Sequence, residues 1–446
     1  MVIDTRYARE VSSLVDVDTG LVNRRIFYDE DIFQLEMQQI FARSWLFMCH
    51  ESQIANPGDF FLTFMGEDRV IVTRDNEGAP QVLVNSCRHR GNAVCRAEEG
   101  HATSFMCTYH GWTFDLQGKL VGVPGFKEVY HEELDRENWG LIKPAQVDTY
   151  RGLVFANMDP EAPSLDEWLG AGGKLGLDIF LDRGTDMAPF DGIIKFRMKC
   201  NWKFPSDNSP DQYHGAFSHA SAIMAGHNVS PNLKGRRSSM FSASPAPGVT
   251  VLEEYGHGFN AVSVPDNWDD IVQDRPLDNW KKYQLLTDSN GKEGRLGRIN
   301  MNLFPNLFVA TSGSNLALRL PRGPMETEIW VWSFHDRKGT HDLREEQRKR
   351  SESHFGPSGL FEQDDGENWD QSTRGVKGVI SGRYPLNYSM GLGHGDIVRD
   401  ESEVARVESH MNEHAQLWTY RTWADFMSAE SWAELKQNHS RPQGTV

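Results

Sequence analysis

The feature that most restricts the fold is a pair of short segments, Asn85-Ser-Cys87-Arg-His89-Arg-Gly91 and Met106-Cys107-Thr-Tyr-His110-Gly111-Trp112. Each offers one thiol and one imidazole, as Cys-x-His, 17 intervening residues, then Cys-x-x-His. Two soft thiolates and two imidazoles suit either a tetrahedral zinc or a [2Fe–2S] cluster, so two loops must be folded toward one point. A zinc site of this composition usually groups its cysteines together and its histidines together. Here each loop supplies one of each. A two-iron cluster accommodates that split, with both cysteines on one iron and both histidines on the other. Gly91 and Gly111 permit tight turns beside such a group, and Trp112 can shield it from water. A zinc that only holds the fold together is the alternative reading. The chain has five cysteines, an odd count that argues against a disulfide framework, and Cys95 reads as a small apolar residue.

A second informative stretch runs Asn201-Trp-Lys-Phe204-Pro-Ser-Asp207-Asn208-Ser-Pro-Asp211-Gln-Tyr213-His214-Gly215-Ala-Phe217-Ser-His219. His214 and His219 are five residues apart. On a regular helix of about 3.6 residues per turn they would diverge, so they share a metal only if the helix is bulged or broken, which Gly215 favours. Asp211 falls on the same face as His214 and can accept the imidazole's free N–H. A third ligand must come from elsewhere, and Phe361-Glu-Gln-Asp364-Asp365 offers one. Two imidazoles and a carboxylate leave positions open for O₂ and suit non-haem Fe(II). Spacing does not choose between Asp364 and Asp365, which diverge by about 100° on a helix. Taken alone, the histidine pair reads as surface or capping residues, and it gains force from the cluster motif before it and the Asp-Asp run after it.

With 446 residues the chain exceeds one ordinary core, and two domains are expected. A helix is expected from Asp29 to His50. Short strands follow from Asp59 to about Asn157, and Pro160 to Pro163 marks a boundary. Beyond it the pattern predicts a helix near Asp166–Leu169, a strand over Gly192–Cys200 and a helical stretch from Pro210 to Ala225. Strands are then expected within Asn302–Thr311, Leu316–Leu320 and Glu326–Phe334. Helices are expected over Leu343–His354, Gly359–Ser372 and Glu403–Leu435. The fold class is α+β: a small antiparallel β domain and a larger domain with a central antiparallel sheet flanked by helices. Gly170-Ala-Gly-Gly-Lys-Leu-Gly176 follows a helix rather than a strand and reads as a flexible connection, not a dinucleotide loop. His410 and His414 read as a solvated helix face.

The net charge of −17 disfavours nucleic acid and anionic membrane as partners. No apolar run reaches the length of about 18 residues that would span a membrane. Met1 to Asp18 lacks the apolar stretch of a signal peptide, so the expected compartment is the cytoplasm. There is no flavin or NAD fingerprint, so any electrons the metals need must come from separate proteins.

The Cys87-x-His89 and Cys107-x-x-His110 motifs, with Cys-Arg-His-Arg-Gly and Tyr-His-Gly-Trp around them, resemble the Rieske loops of aromatic ring-hydroxylating dioxygenase large (alpha) subunits of the naphthalene and biphenyl dioxygenase type. The Asn-Trp-Lys, Asp-x-Tyr-His and final His pattern from Asn201 to His219 is similar to the same family, with Asp207 where many members have Glu. The resemblance extends from about Arg25 to Trp432. It implies an N-terminal segment (1–37) packed on the catalytic domain, a Rieske domain (38–158) and a catalytic mononuclear-iron domain (159–446). It implies that Cys87 and Cys107 bind one cluster iron, that His89 and His110 bind the other, and that His214, His219 and Asp365 hold the catalytic iron.

It also implies a trimer of large subunits, alone or with a small beta subunit as α₃β₃, supplied with electrons by a ferredoxin and a reductase. Asp211 would bridge His214 to the cluster histidine, His110, of a neighbouring subunit. The activity implied is cis-dihydroxylation of an aromatic ring by O₂. Phe361, Phe204, Phe217, Ile223 and Met224 are candidate pocket residues, all uncharged, which favours a hydrophobic polycyclic or biaryl substrate. Asn208 would orient substrate or serve the structure alone. The rivals are a monooxygenase or demethylase, or an aromatic-acid dioxygenase, on the same scaffold. From a different class comes an electron carrier with a structural metal.

Overall fold

Runs of β-branched and aromatic residues, such as Val70-Ile-Val-Thr73 and Phe60-Phe-Leu-Thr-Phe64, favour strands wherever one face can be buried. In the computed structural model, which describes residues 5–184, 186–225, 248–264, 266, 285–287, 293–439 and 441–446, these runs form an antiparallel sheet. Its strand order is Pro80–Val84, Asp68–Arg74, Asp59–Met65, Glu99–His101. Two three-stranded sheets complete the unit Phe41–Leu165. One comprises Phe105–Met106, Thr113–Phe114 and Leu120–Gly122. The other sets Leu153–Asn157 between Gln146–Tyr150 and Leu46–His50. Ile71, Leu83, Phe105, Trp112 and Phe114 make the core, and Cys87, Cys95 and Cys107 are buried with them.

The helix expected over Asp29–His50 is much shorter. It runs Glu30–Glu36, continues as a π turn over Met37–Phe41, and gives way to the strand Leu46–His50. Every residue of that strand is buried. An apolar run buried on both faces carries no period that separates strand from helix, and pairing with Leu153–Asn157 decides the outcome.

The remaining described residues form the second unit, built on an eleven-stranded sheet. Its path is Met187–Pro189, Glu326–Asp336, Asn315–Gly323, Leu307–Ala310, Glu293–Leu303, Gly258–Ser263, Gly248–Leu252, Ala405–Val407 and Ile397–Val398. Ile194–Met198 also pairs with Glu326–Asp336. Helices Leu165–Leu181, His341–His354, Leu360–Val376 and His414–Ser428 belong to this unit, making the protein α+β.

The N-terminal segment is tied to this unit through Glu36. Its buried carboxylate accepts from Trp202 Nε1 (2.8 Å), Trp423 Nε1 (2.7 Å) and Lys203 Nζ (2.5 Å). Removing one partner of such a buried pair costs about 3–5 kcal/mol, because it strands the other charge.

Three further expectations change. Gly170–Gly176 is not a flexible connection but part of the helix Leu165–Leu181, kinked at Gly170 (φ 58°). Its glycines let the helix lie close on the sheet, where a Cβ at Gly176 would strike Met301. The run Glu403–Leu435 is not one helix: Ala405–Val407 is a strand, and helices occupy His414–Ser428 and Trp432–Asn438. His410 and His414 therefore share no helical face, and both are buried rather than solvated.

Candidate metal centres

The two cysteine loops are near copies of one another. In each, the residue five or four positions on closes the loop onto the cysteine: Cys87 N–H donates to Asn92 O (2.9 Å) and Gly91 N–H to Cys87 O (2.8 Å). The second loop repeats this with Cys107 N–H to Trp112 O (2.8 Å) and Gly111 N–H to Cys107 O (2.9 Å). Both turns need the left-handed backbone that glycine adopts freely, with φ of 74° at Gly91 and 73° at Gly111. Asn85 fixes the flank, accepting from the N–H groups of Val94 (2.9 Å) and Cys95 (3.0 Å) and donating to Cys95 O (2.7 Å).

The four side chains sort by type. The two cysteines are free, buried and adjacent. The rings of His89 and His110 lie 4.4 Å apart. Cys87 Sγ accepts backbone N–H groups of His89 and Arg90, and Cys107 Sγ those of Tyr109 and His110 together with the Asn92 amide. Burial pushes both thiols up, and at Cys107 these donors outweigh it and bring the thiol below its usual range. His89 Nδ1 is buried without a hydrogen-bond partner, and Trp112 stacks on the same ring at 5.1 Å. An orphaned imidazole nitrogen beside paired sulfurs fits the ligand set of a cluster. Sulfur lies with sulfur and nitrogen with nitrogen, which fits two irons. Among the described residues, ligand atoms converge to the spacing of a single ion only at the second centre.

At that centre the helix Gly215–Ser218 stops at His219 (φ −97°, ψ 18°), and a new one begins at Ala220. The break falls on the histidine itself, not on Gly215, and it turns the two rings toward each other at 5.3 Å. The helix Leu360–Val376 is held alongside: Asn368 Nδ2 donates to Ser218 Oγ (3.0 Å), and Thr373 Oγ1 accepts from Asn201 N–H (3.1 Å). Gly366 admits Met198 where a Cβ would lie 2.6 Å from its methyl group.

The outcome is a converging set. His214 Nε2 and His219 Nε2 each lie 3.4 Å from Asp365 Oδ1, a buried oxygen that has no hydrogen-bond partner. The three ligand atoms fall within 4.8 Å of one another. The other ring nitrogens face carboxylates, His214 Nδ1 at 3.1 Å from Asp211 Oδ2 and His219 Nδ1 at 3.3 Å from Asp364 Oδ2. Such outer carboxylates fix the ring orientation of metal-binding histidines. The divergence between neighbouring aspartates is thus used, since Asp364 and Asp365 address opposite nitrogens of one ring. Burial pushes His219 down to about 3, helped by the charges of His214 and Arg298. At His214 burial acts the same way, but Asp211 and Asp365 outweigh it and raise the group. Asp365 is pushed up to about 6 by burial, with His214 and Arg319 opposing. The residues fit a divalent metal of two-histidine, one-carboxylate type.

The other sequence candidates divide. Phe361 sets its ring edge-on to His219 at 4.7 Å. Phe204 is buried in the core, stacked on Phe27 at 4.3 Å. Phe217 and Met224 are exposed, Ile223 and Asn208 half-buried. Asp207 accepts from Tyr388 (2.7 Å) and Tyr420 (2.5 Å) hydroxyls, and burial pushes it up to about 7. It anchors the helix Lys203–Asn208, which leads into the ligand segment. Sequence reasoning missed the partnership of Asp364 with His219. It also missed Arg298, whose charge acts on His214, His219 and Asp365.

Residues 44–142 match the Rieske [2Fe-2S] domain and residues 183–428 the ring hydroxylating alpha subunit catalytic domain. Biphenyl 2,3-dioxygenase subunit alpha of Rhodococcus jostii (strain RHA1) is 36% identical, covering 96% of this chain and 93% of that relative. Benzene 1,2-dioxygenase subunit alpha of Pseudomonas putida is 35% identical, covering 96% and 95%. The structure of naphthalene 1,2-dioxygenase with indole bound in the active site superposes with a TM-score of 0.84 at 28% identity, over 95% of this chain and 96% of that one. A quaternary ammonium Rieske monooxygenase shares the fold at 19% identity, with a TM-score of 0.67. No described helix is long and apolar enough to cross a membrane. Likeness of this extent runs through both units, and so the chain belongs to the alpha subunits of the Rieske non-haem iron, aromatic ring-hydroxylating dioxygenases.

Proposed function

We propose that this alpha subunit is the terminal oxygenase of a multicomponent, cytoplasmic system that converts an aromatic ring to a cis-dihydrodiol. In this reading Cys87, Cys107, His89 and His110 hold the [2Fe–2S] cluster, and His214, His219 and Asp365 hold the mononuclear iron. The observation that carries it is the meeting of His214 Nε2 and His219 Nε2 on the partnerless Asp365 Oδ1. When bound, the cluster and the ferrous ion supply the electrons and the O₂ activation.

The protein's own part is to hold and to exclude. Asp211 and Asp364 keep the two rings from turning. Phe361, beside His219, supplies an apolar wall for the flat face of an aromatic ring. Relatives named for biphenyl and benzene support an aromatic substrate with an apolar body. Asp211 also joins His214 to His110 of a neighbouring alpha subunit in a trimer, with or without beta subunits. His110 is only half-buried and Tyr109 beside it is exposed, which suits a contact made with another chain. A ferredoxin and a reductase bring electrons from NAD(P)H.

The test is turnover of naphthalene and biphenyl under ¹⁸O₂ with a surrogate ferredoxin and reductase. Two labelled oxygens in one cis-diol are expected. A single labelled oxygen would assign the protein to monooxygenation instead.

A further inference from the structure

The strand Glu293–Leu303 alternates Arg298, Asn300 and Asn302 with Ile299, Met301 and Leu303. The apolar members are buried in the core. Of the polar members, Asn302 is buried, Asn300 half-buried and Arg298 exposed. Asn300 pairs directly with Asn260 of the neighbouring strand, and directly opposed residues share a face of the sheet. Asn260 donates its amide to the carbonyl of Pro210, the residue before Asp211. This polar face therefore lies against the segment that carries His214 and His219. Arg298, two residues before Asn300, points the same way by the period of the strand, beside an irregularity in pairing between Ala261 and Ser263. Irregularities of this kind re-aim side chains and recur next to active sites.

Two properties of Arg298 bear on its role. It is exposed, yet burial, seconded by the charge of Arg350, pushes its pKa down. Its charge acts on His214, His219 and Asp365, in keeping with the strand face it shares with Asn300, which lies against the segment of the mononuclear centre. Among the described residues, no carboxylate forms an ion pair with it. On the same face, Asn300 Oδ1 and Asn302 Nδ2 are buried without hydrogen-bond partners. Buried polar atoms left unpaired in a native fold call for a partner from outside the chain. A guanidinium fork with no anion of its own takes a planar oxyanion in two parallel hydrogen bonds.

We propose that Arg298, with Asn300 beside it, receives the carboxylate of an aromatic acid, so that the preferred substrate is an aryl carboxylate whose ring reaches the mononuclear centre. The proposal rests on the ring-dihydroxylation reading and narrows its substrate class. The apolar body of the substrate meets Phe361, and the acid group meets the strand.

The test uses the reconstituted, iron-loaded enzyme and two matched pairs, naphthalene with 2-naphthoate and biphenyl with 4-carboxybiphenyl. The wild-type kcat/KM is expected to favour at least one acid over its parent hydrocarbon by tenfold or more. In Arg298→Met that acid-to-hydrocarbon ratio should fall about a hundredfold, the loss expected when one partner of a desolvated charge pair is removed. It should fall mainly through KM, and Arg298→Lys should restore part of it. Equilibrium dialysis of the same acid, without O₂, should show the same loss of affinity. Wild-type preference for both hydrocarbons, or a ratio that Arg298→Met leaves unchanged, would overturn the proposal while leaving ring dihydroxylation standing. Arg298-dependent binding of an acid that gives no diol would do the reverse.

Discussion

Two carboxylates divide the work around His219, Asp365 as candidate ligand and Asp364 as the brace on the opposite nitrogen. The same division holds at His214, where Asp211 is the brace. Asp211→Asn keeps the volume but exchanges a charged acceptor for a neutral amide. If Asp211 carries the link between redox centres, this variant keeps its full iron content while cis-diol formation falls about a hundredfold, the upper end of outer-carboxylate effects. Iron analysis alongside product assay checks it, and near-wild-type product formation would remove the bridge from the account. The ligand residues themselves were legible because thiols, imidazoles and carboxylates at such spacings have few other uses. Spacing alone did not choose between Asp364 and Asp365, since the choice depends on which nitrogen of a ring from another helix each one meets; the family resemblance pointed to Asp365. Arg298 was illegible for a related reason. An Arg-x-Asn-x-Asn alternation reads as a solvent face until tertiary structure lays it against the segment that carries the histidines.

The short helices that carry the histidines draw their geometry from what surrounds them. The break at His219 brings together two rings that a continuous helix would separate, and the helix Leu360–Val376 holds the break in place. Strand-rich segments with turn signals were readable from periodicity, whereas Leu46–His50 and Glu403–Leu435 were not, because burial on both faces or pairing with a distant strand overrode the local pattern.

Packing between elements also sets a pH dependence. His257 Nδ1 accepts from Phe304 N–H (2.9 Å), and its Nε2 donates to Trp168 O (2.9 Å), tying the sheet to the helix Leu165–Leu181. Burial pushes its pKa to about 3 from an ordinary 6.5. Above the ordinary value neither folded nor unfolded chain is protonated there. As pH falls below it only the unfolded chain takes up the proton, so stability is lost by about 1.4 kcal/mol per pH unit until the folded value is reached. His257→Gln should lower Tm at pH 7.5 but lose less on going to pH 5.5 than the wild type does. Parallel declines in the two proteins would show that His257 carries none of the acid sensitivity.

At the scale of the molecule, one unit offers a paired set of sulfurs and imidazoles and the other a facial set of two imidazoles and a carboxylate. Neither suffices for ring hydroxylation. Electrons collected at the first centre have to reach the second, and O₂ and substrate have to meet beside it. Two domains were expected from the length of the chain, with a boundary at Pro160 to Pro163, and the fold divides into two units at Leu165/Asp166. The substrate was not legible, since it depends on faces of strands that only the folded chain brings together.

The central claim is that these seven side chains hold two separate iron centres. Iron and acid-labile sulfide per chain, measured in the purified wild type and in His219→Ala, test it most directly. The wild type is predicted to carry about three irons and two sulfides, and the variant about two of each, because only the mononuclear ion is lost. Three irons retained in His219→Ala, or zinc in place of iron at the paired cysteines, would contradict the account.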